Sequence, residues 1–237
     1  LVTGAVFVLG LGWQMNWFAA AGVSAIAFMA VVWLMGVDDY APPSQSRREP
    51  PLVWNPALAK ITLAYAIFGA GYIVTATFLI AIVRQSDGGF VVESGVWLAA
   101  GLAGAPSVWL WSLVARRLGL AAAFGIGCVV EAVGVVASVS IGGYGAQLLA
   151  GALLGGTFIA VTAMGLQIGR AVAGDAPRRA LAIMTAAFGV GQITGPLLAG
   201  IAADLTGSFF APSIGAAVAL MIAGLVGLQA SNRPSDQ

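Results

Sequence analysis

The chain has 237 residues, is 60% hydrophobic and only 8% charged, and carries a net charge of +1 with a mean hydropathy of +0.98. That balance lies far outside the range of soluble domains, and the near-zero charge excludes a nucleic-acid partner. It contains no histidine and one cysteine, Cys128, which rules out an internal disulfide framework and leaves little for metal or general-base chemistry.

In chain order, one unit repeats: about twenty apolar residues and then a short polar break. A hydrocarbon core about 30 Å thick needs roughly 20 helical residues per crossing. Only helices or closed barrels satisfy their own backbone there, and the strict apolar–polar alternation of a barrel is missing from these runs. The predicted fold class is therefore an all-α, polytopic transmembrane helix bundle.

Residues 1–11 read as the tail of a crossing. The chain opens on Leu1 inside an apolar run, with no charged n-region or small-residue cleavage site before it, so it reads as a cut through a helix rather than as a signal peptide. Gly12–Asn16 reads as a tight turn between the interfacial residues Trp13 and Trp17. Seven full crossings are predicted over about 17–36, 57–83, 95–115, 119–141, 145–169, 181–204 and 209–230. The one long break, Val37–Asn55, carries Asp38, Asp39, four prolines and the pair Arg47–Arg48, and reads as an exposed linker. The expected organisation is the end of one bundle over 1–36, a linker over 37–56, a six-helix bundle over 57–230 and a tail over 231–237.

Arg47, Arg48, Lys60, Arg116, Arg117, Arg170, Arg178, Arg179 and Arg233 fall on one side of these crossings, and Arg84 alone on the other. Under the positive-inside rule the first set is cytoplasmic, which places the linker and the C-terminal tail inside and the Gly12–Asn16 turn outside.

Three segments carry a resemblance. Phe188-Gly189-Val190-Gly191-Gln192-Ile193-Thr194-Gly195-Pro196-Leu197-Leu198-Ala199-Gly200, followed by Asp204 and Thr206-Gly207-Ser208-Phe209, resembles helix eleven of the major facilitator superfamily. Ala64-Tyr65-Ala66-Ile67-Phe68-Gly69-Ala70-Gly71-Tyr72-Ile73-Val74-Thr75 and the residues to Leu79 are similar to helix seven of its bacterial YbfB/YjiJ-like subgroup, and Gly155-Gly156-Thr157-Phe158 with Gly165-Leu166 fits helix ten. A long cytoplasmic linker between two six-helix halves is the layout of that superfamily. The resemblance covers essentially the whole chain. It implies the second half of a transporter plus the last one or two helices of the first, with the N-terminal bundle as the missing partner and no transport by this chain alone. One position departs from the pattern. In the turn Trp111-Ser112-Leu113-Val114-Ala115-Arg116-Arg117-Leu118-Gly119 the basic pair and the glycine match the superfamily's gating motif, but Ala115 stands where an acid is usual.

Candidate functional residues follow from spacing. Tyr65, Phe68, Tyr72 and Thr75 recur at i, i+3, i+7 and i+10, so hydroxyls and aromatics share one face that is suited to lining a wet cavity; the alternative is bonding between helices. The resemblance of this helix to a cavity-lining element favours a substrate-binding role. Phe158 with Thr162, and Thr185 with Phe188 and Gln192, form similar faces on two later helices. Gly151 and Gly155 make a small-xxx-small pair that suits a helix contact. Pro196 removes a backbone hydrogen bond and is a gating candidate as a bend that helps the bundle rock between states; the alternative is a fixed kink. Glu131 is the one acid near the middle of a span and is the candidate for proton coupling; the alternative is a protonated carboxyl bonded to a neighbouring helix. Arg116 and Arg117 are gating candidates that also suit lipid headgroups, with Asp175 and Asp204 as possible acidic partners.

Taken together these features predict a secondary active transporter moving a small organic solute across the bacterial inner membrane by alternating access and driven by protons, with the chain itself incomplete. The alternative is a membrane receptor or sensor. A retinal protein needs a mid-membrane lysine, and Lys60 sits at a span's edge. No Walker-type loop, nucleophile–base pair or metal cluster occurs in the sequence, so neither ATP use, enzymatic activity, a metal nor a cofactor is predicted. The expected partners are a small solute, protons and membrane lipids.

Overall fold

The computed structural model of the protein describes residues 6, 9, 10, 12, 14–35, 49–85 and 89–230. Seven helices appear among them: α1 (Gln14–Met35), α2 (Pro56–Gln85), α3 (Phe90–Leu118), α4 (Leu120–Ser140), α5 (Tyr144–Val172), α6 (Pro177–Thr206) and α7 (Phe210–Leu228). All seven are long and apolar enough to cross a membrane, and no strand occurs among the described residues. The protein is an all-helical, multi-pass membrane protein. Most of the linker expected between the first two helices, with Asp38, Asp39, Arg47 and Arg48, lies outside the described residues. So do Trp13 and the tail with Arg233.

Two compact units divide the chain, Leu1–Arg48 and Glu49–Gln237. In the first, α1 exposes Trp17, Phe18, Ile26, Phe28, Trp33 and Leu34. The turn expected at Gly12–Asn16 is shorter than the sequence suggests. Gln14, Met15 and Asn16 already belong to the helix, and Met15 N–H donates to the Gly12 carbonyl at 2.9 Å.

The second unit is a six-helix bundle. Four of its spans run beyond the boundaries read from hydropathy, α2 and α6 with 30 residues each and α3 and α5 with 29, whereas α4 and α7 fall one or two residues short at each end. At about 1.5 Å per residue these helices are roughly 45 Å long, so their ends extend through the headgroup region. Side-chain pairing accounts for part of the overshoot. Arg84 near the end of α2 grips Glu93 in the first turn of α3 through two hydrogen bonds, Nε to Oε1 at 2.8 Å and Nη2 to Oε2 at 3.0 Å. The one basic residue on that side of the crossings is therefore matched by an acid.

Lipid tails are as apolar as leucine, so helix association rests on close packing and interhelical hydrogen bonds. At the α3–α5 contact, a Cβ at Gly151 would come within 2.6 Å of the Val96 carbonyl oxygen, and one at Gly155 would overlap the Ala100 backbone. At the α2–α6 contact, Gly191 and Gly195 lie against the carbonyls of Ala66 and Ala70. Leu58, Ile61, Tyr65, Phe68, Phe124, Met184 and Leu220 are the large side chains packed into the centre of the bundle.

A short segment before α2 ties three helix ends together. Asn55 accepts a hydrogen bond from Leu58 N–H at 2.8 Å, capping α2, and its own amide donates to the Val172 carbonyl at the end of α5 at 2.8 Å. The Glu49 carboxylate accepts from the backbone N–H groups of Arg178 and Arg179 at 3.1 and 3.2 Å, where the positive end of α6 favours an anion.

Candidate functional site

Helical spacing places Tyr65, Phe68 and Tyr72 on one face of α2, and the bundle folds α5 and α6 against that face. Tyr72 lies near the midpoint of α2, as does Gln192 in α6 and Phe158 in α5. The Tyr72 ring stacks on Phe158 (centroids 5.9 Å apart, planes 4° apart) and on Phe188 (5.6 Å, 14°). Gln192 donates a hydrogen bond from Nε2 to the Tyr72 hydroxyl. Three faces predicted separately thus meet around one tyrosine.

The cluster continues toward the arginine-bearing end. Tyr65 stacks on Phe188 at 4.7 Å and occupies room left by Gly165 of α5, where a Cβ would lie 2.7 Å from its ring. The Thr162 hydroxyl interacts with the Tyr65 hydroxyl, and it also donates to the Phe158 carbonyl at 2.6 Å. Tyr65 and Tyr72 are buried, whereas Phe158, Thr162, Phe188 and Gln192 are partly exposed, so the cluster presents an open side.

Pro196 adds to this site. Proline has no N–H, so it withholds the donor that the Gln192 carbonyl, four residues earlier, would receive in a regular helix. Gln192 therefore brings both a side-chain amide and a backbone acceptor to the middle of α6. The side chains available here offer aromatic faces, hydroxyls and an amide, the mix that orients a small organic molecule in a largely apolar pocket.

Other predicted residues lie elsewhere. Phe68 is fully buried and meets Phe124 of α4 edge-on at 6.1 Å, so it backs the cluster rather than lining its open side. Thr75 is buried, and its hydroxyl has no hydrogen-bond partner among the described residues. Thr185 is exposed and donates to the Leu181 carbonyl at 2.8 Å. Arg116 and Arg117 are exposed at the end of α3, and among the described residues neither forms an ion pair with Asp175 or Asp204. Gly151 and Gly155 press against α3.

Glu131 occupies the middle of α4 and is 1% exposed. One carboxyl oxygen, Oε2, accepts from the Thr157 hydroxyl of α5 at 2.9 Å; the other, Oε1, has no hydrogen-bond partner among the described residues. Thr157 directly precedes Phe158, so the carboxyl and the aromatic cluster meet at adjacent residues of one helix. Thr157 and Glu49 escaped sequence reasoning. The spacing of Phe158 and Thr162 points to the cluster face of α5, while Thr157 points to α4. Glu49 sits in a proline-rich stretch whose composition reads only as exposed chain.

Residues 1–228 match the family model described as "Uncharacterised MFS-type transporter YbfB". No curated protein matches the chain. The match spans all seven helices, including the three segments whose motifs carry the resemblance, and the chain belongs to this family of MFS-type transporters.

Proposed function

We propose that the protein is a secondary active transporter that moves a small organic solute across the bacterial inner membrane by alternating access, coupled to protons. Residues 57–230 act as the C-terminal half of the carrier and residues 1–36 as the end of the N-terminal half. The observation that carries this reading is the convergence of α2, α5 and α6 on Tyr72, with stacked aromatics and a glutamine amide at mid-depth. Tyr65, Tyr72, Phe158, Thr162, Phe188 and Gln192 contact the solute, and Phe68 supports them from behind. Glu131 takes up and releases the coupling proton. The hydrogen bond missing at Pro196 lets α6 flex and move the Gln192 and Phe188 side of the cluster between states.

The positive-inside rule supports an orientation in which Lys60, Arg116, Arg117, Arg170, Arg178 and Arg179 face the cytoplasm, with the C-terminus on the same side. There Arg116 and Arg117 bind anionic headgroups and flank the gate.

The test is solute flux by the full-length protein in liposomes across an imposed proton gradient, with a panel of sugars, organic acids, amino acids and hydrophobic cations. Uptake or efflux of one class, abolished by a protonophore, is the expected result. Glu131→Gln is expected to flatten the pH dependence of that flux, and an unchanged profile removes Glu131 from the mechanism. No flux of any class overturns the transporter reading in favour of a sensor.

A further inference from the structure

Thr157 lies between the buried carboxyl and the aromatic cluster, and its hydroxyl has one proton for three acceptors. Its Oγ1 is 2.9 Å from Glu131 Oε2 and 2.7 Å from the carbonyl oxygen of Leu153, one turn back in α5, with the Leu154 carbonyl farther off at 3.3 Å. The two shorter distances are those of well-formed hydrogen bonds, but the hydroxyl has a proton for only one of them at a time. Which one it serves depends on the carboxyl. An ionised Glu131 has only acceptors and receives the Thr157 hydrogen bond, the proton staying on Thr157 Oγ1. A protonated Glu131 has an O–H of its own and donates it to Thr157 Oγ1, which turns the Thr157 proton onto the Leu153 carbonyl. The proton taken up stays on Glu131 throughout, and the hydrogen bond between α4 and α5 reverses direction.

The consequence falls on α5. A threonine that donates back to the carbonyl four residues earlier competes with the helical ladder and bends the helix. The next residue is Phe158, whose ring lies parallel to Tyr72 and 5.9 Å away. Trp111 of α3 fixes the residue on the other side, donating from its indole N–H to the Gly156 carbonyl at 2.8 Å. A change at Thr157 is thus held on its Gly156 side and free to reach Phe158.

We propose that Thr157 is the positioning residue that transmits the protonation state of Glu131 to the Tyr72–Phe158 stack, and so links the coupling proton to the solute site. This rests on the reading of Glu131 as a proton site. The groups around Glu131 leave the role to this pair. On α4 itself the neighbouring titratable group is Cys128. From α2 come Tyr65 and Tyr72, with Lys60 and Arg84 at the ends. On α5 and α3 the charged or titratable side chains, Tyr144, Arg170, Glu93, Arg116 and Arg117, stand at the ends, and α7 carries none.

The experiment labels the full-length protein with 3-fluorotyrosine, assigns Tyr72 by substitution, and follows its fluorine resonance with pH. Infrared spectroscopy tracks the Glu131 carboxyl band in the same samples. In the unsubstituted protein both signals are expected to titrate together. Glu131→Gln is expected to abolish both, and a Tyr72 titration that survives it overturns the proton-site reading. In Thr157→Val the carboxyl band is expected to titrate still while Tyr72 no longer responds, and Thr157→Ser restores the response. A Tyr72 response in Thr157→Val equal to that of the unsubstituted protein overturns the relay while leaving the proton site standing. Should Thr157→Val not fold, Thr157→Ala removes the same hydroxyl and is read in the same way.

Discussion

Two helix pairs of the six-helix bundle, α3 with α5 and α2 with α6, are both built on glycine, yet the groups around their glycines differ. At α3–α5, Gly151 and Gly155 meet the backbone of Val96 and Ala100, and the cross-link above them is an indole N–H on a carbonyl. That contact is backbone against backbone. At α2–α6, Gly191 and Gly195 meet the backbone of Ala66 and Ala70 just as closely, but beside them lie Tyr65, Tyr72, Phe188 and Gln192, paired side chain to side chain. Side chains that change rotamers can exchange one partner for another, whereas touching backbones have no such freedom. The same glycine-on-backbone contact therefore stands alone in one place and has an adjustable side-chain contact beside it in the other. The adjustable contact is the one that carries the candidate solute site.

The largest effect is expected where backbone meets backbone. Gly155→Ala sets a Cβ 2.6 Å from the Ala100 Cα and overlapping its carbonyl, with no flexible side chain able to yield. Overpacking at a close-packed contact of this kind costs about 3 kcal/mol, the upper end of the usual range. Thermal unfolding in detergent is expected to show a large loss of stability or no folded protein at all. The neighbouring Gly156→Ala is the control, because its Cβ meets only Ala103 Cβ at 3.7 Å, an ordinary contact. Equal behaviour of the two variants would show that α3 and α5 are free to separate, and the comparison would fail.

A smaller effect on stability and a larger one on function are expected at α2–α6. Tyr72→Phe keeps the ring stack but removes the hydroxyl that receives the Gln192 amide. Hydrogen bonds between membrane helices are worth about 0.6 kcal/mol on average and up to about 1.7. The variant is therefore expected to fold with a slightly lower unfolding temperature and to lose solute flux. Gln192→Leu is expected to do the same. If either variant unfolds as Gly155→Ala does, the α2–α6 pair is as fixed as the α3–α5 pair.

Much of this contrast was legible in the sequence, and the missing part has a physical cause. Hydropathy runs report which residues prefer lipid, so they located the helices, but they stop where the apolar side chains stop. They miss the turns by which α3 and α5 continue, held by groups such as the Arg84–Glu93 pair. Helical spacing reports a shared face, so Tyr65, Phe68 and Tyr72 could be grouped, as could Phe188 with Gln192. It does not report which helix a face meets. The pairing of Gln192 with Tyr72 and of Thr157 with Glu131 depends on how helices far apart in sequence pack, and no local pattern encodes that. Thr185 shows the converse, since its spacing matches Phe188 and Gln192 but it is exposed.

If α6 is the moving partner of the adjustable pair, its anchoring at one end matters. Glu49 is 16% exposed and sits on the first turn of α6, accepting from Arg178 and Arg179 N–H, while its carboxylate lies 3.6 Å from the Arg178 guanidinium. An anion at a helix N-terminus contributes about 0.3 to 1 kcal/mol, and the flanking guanidinium adds little because it is largely exposed. Glu49→Gln keeps the shape and an acceptor oxygen but removes the charge, so the expected loss of stability is the smallest here, about 0.5 kcal/mol. Its signature is where the loss appears. Amide exchange is expected to quicken in the first turn of α6 and to stay unchanged at Gly151–Gly155 of α5. Faster exchange at both places would mean that Glu49 holds the bundle as a whole, and that α6 has no freedom of its own at that end.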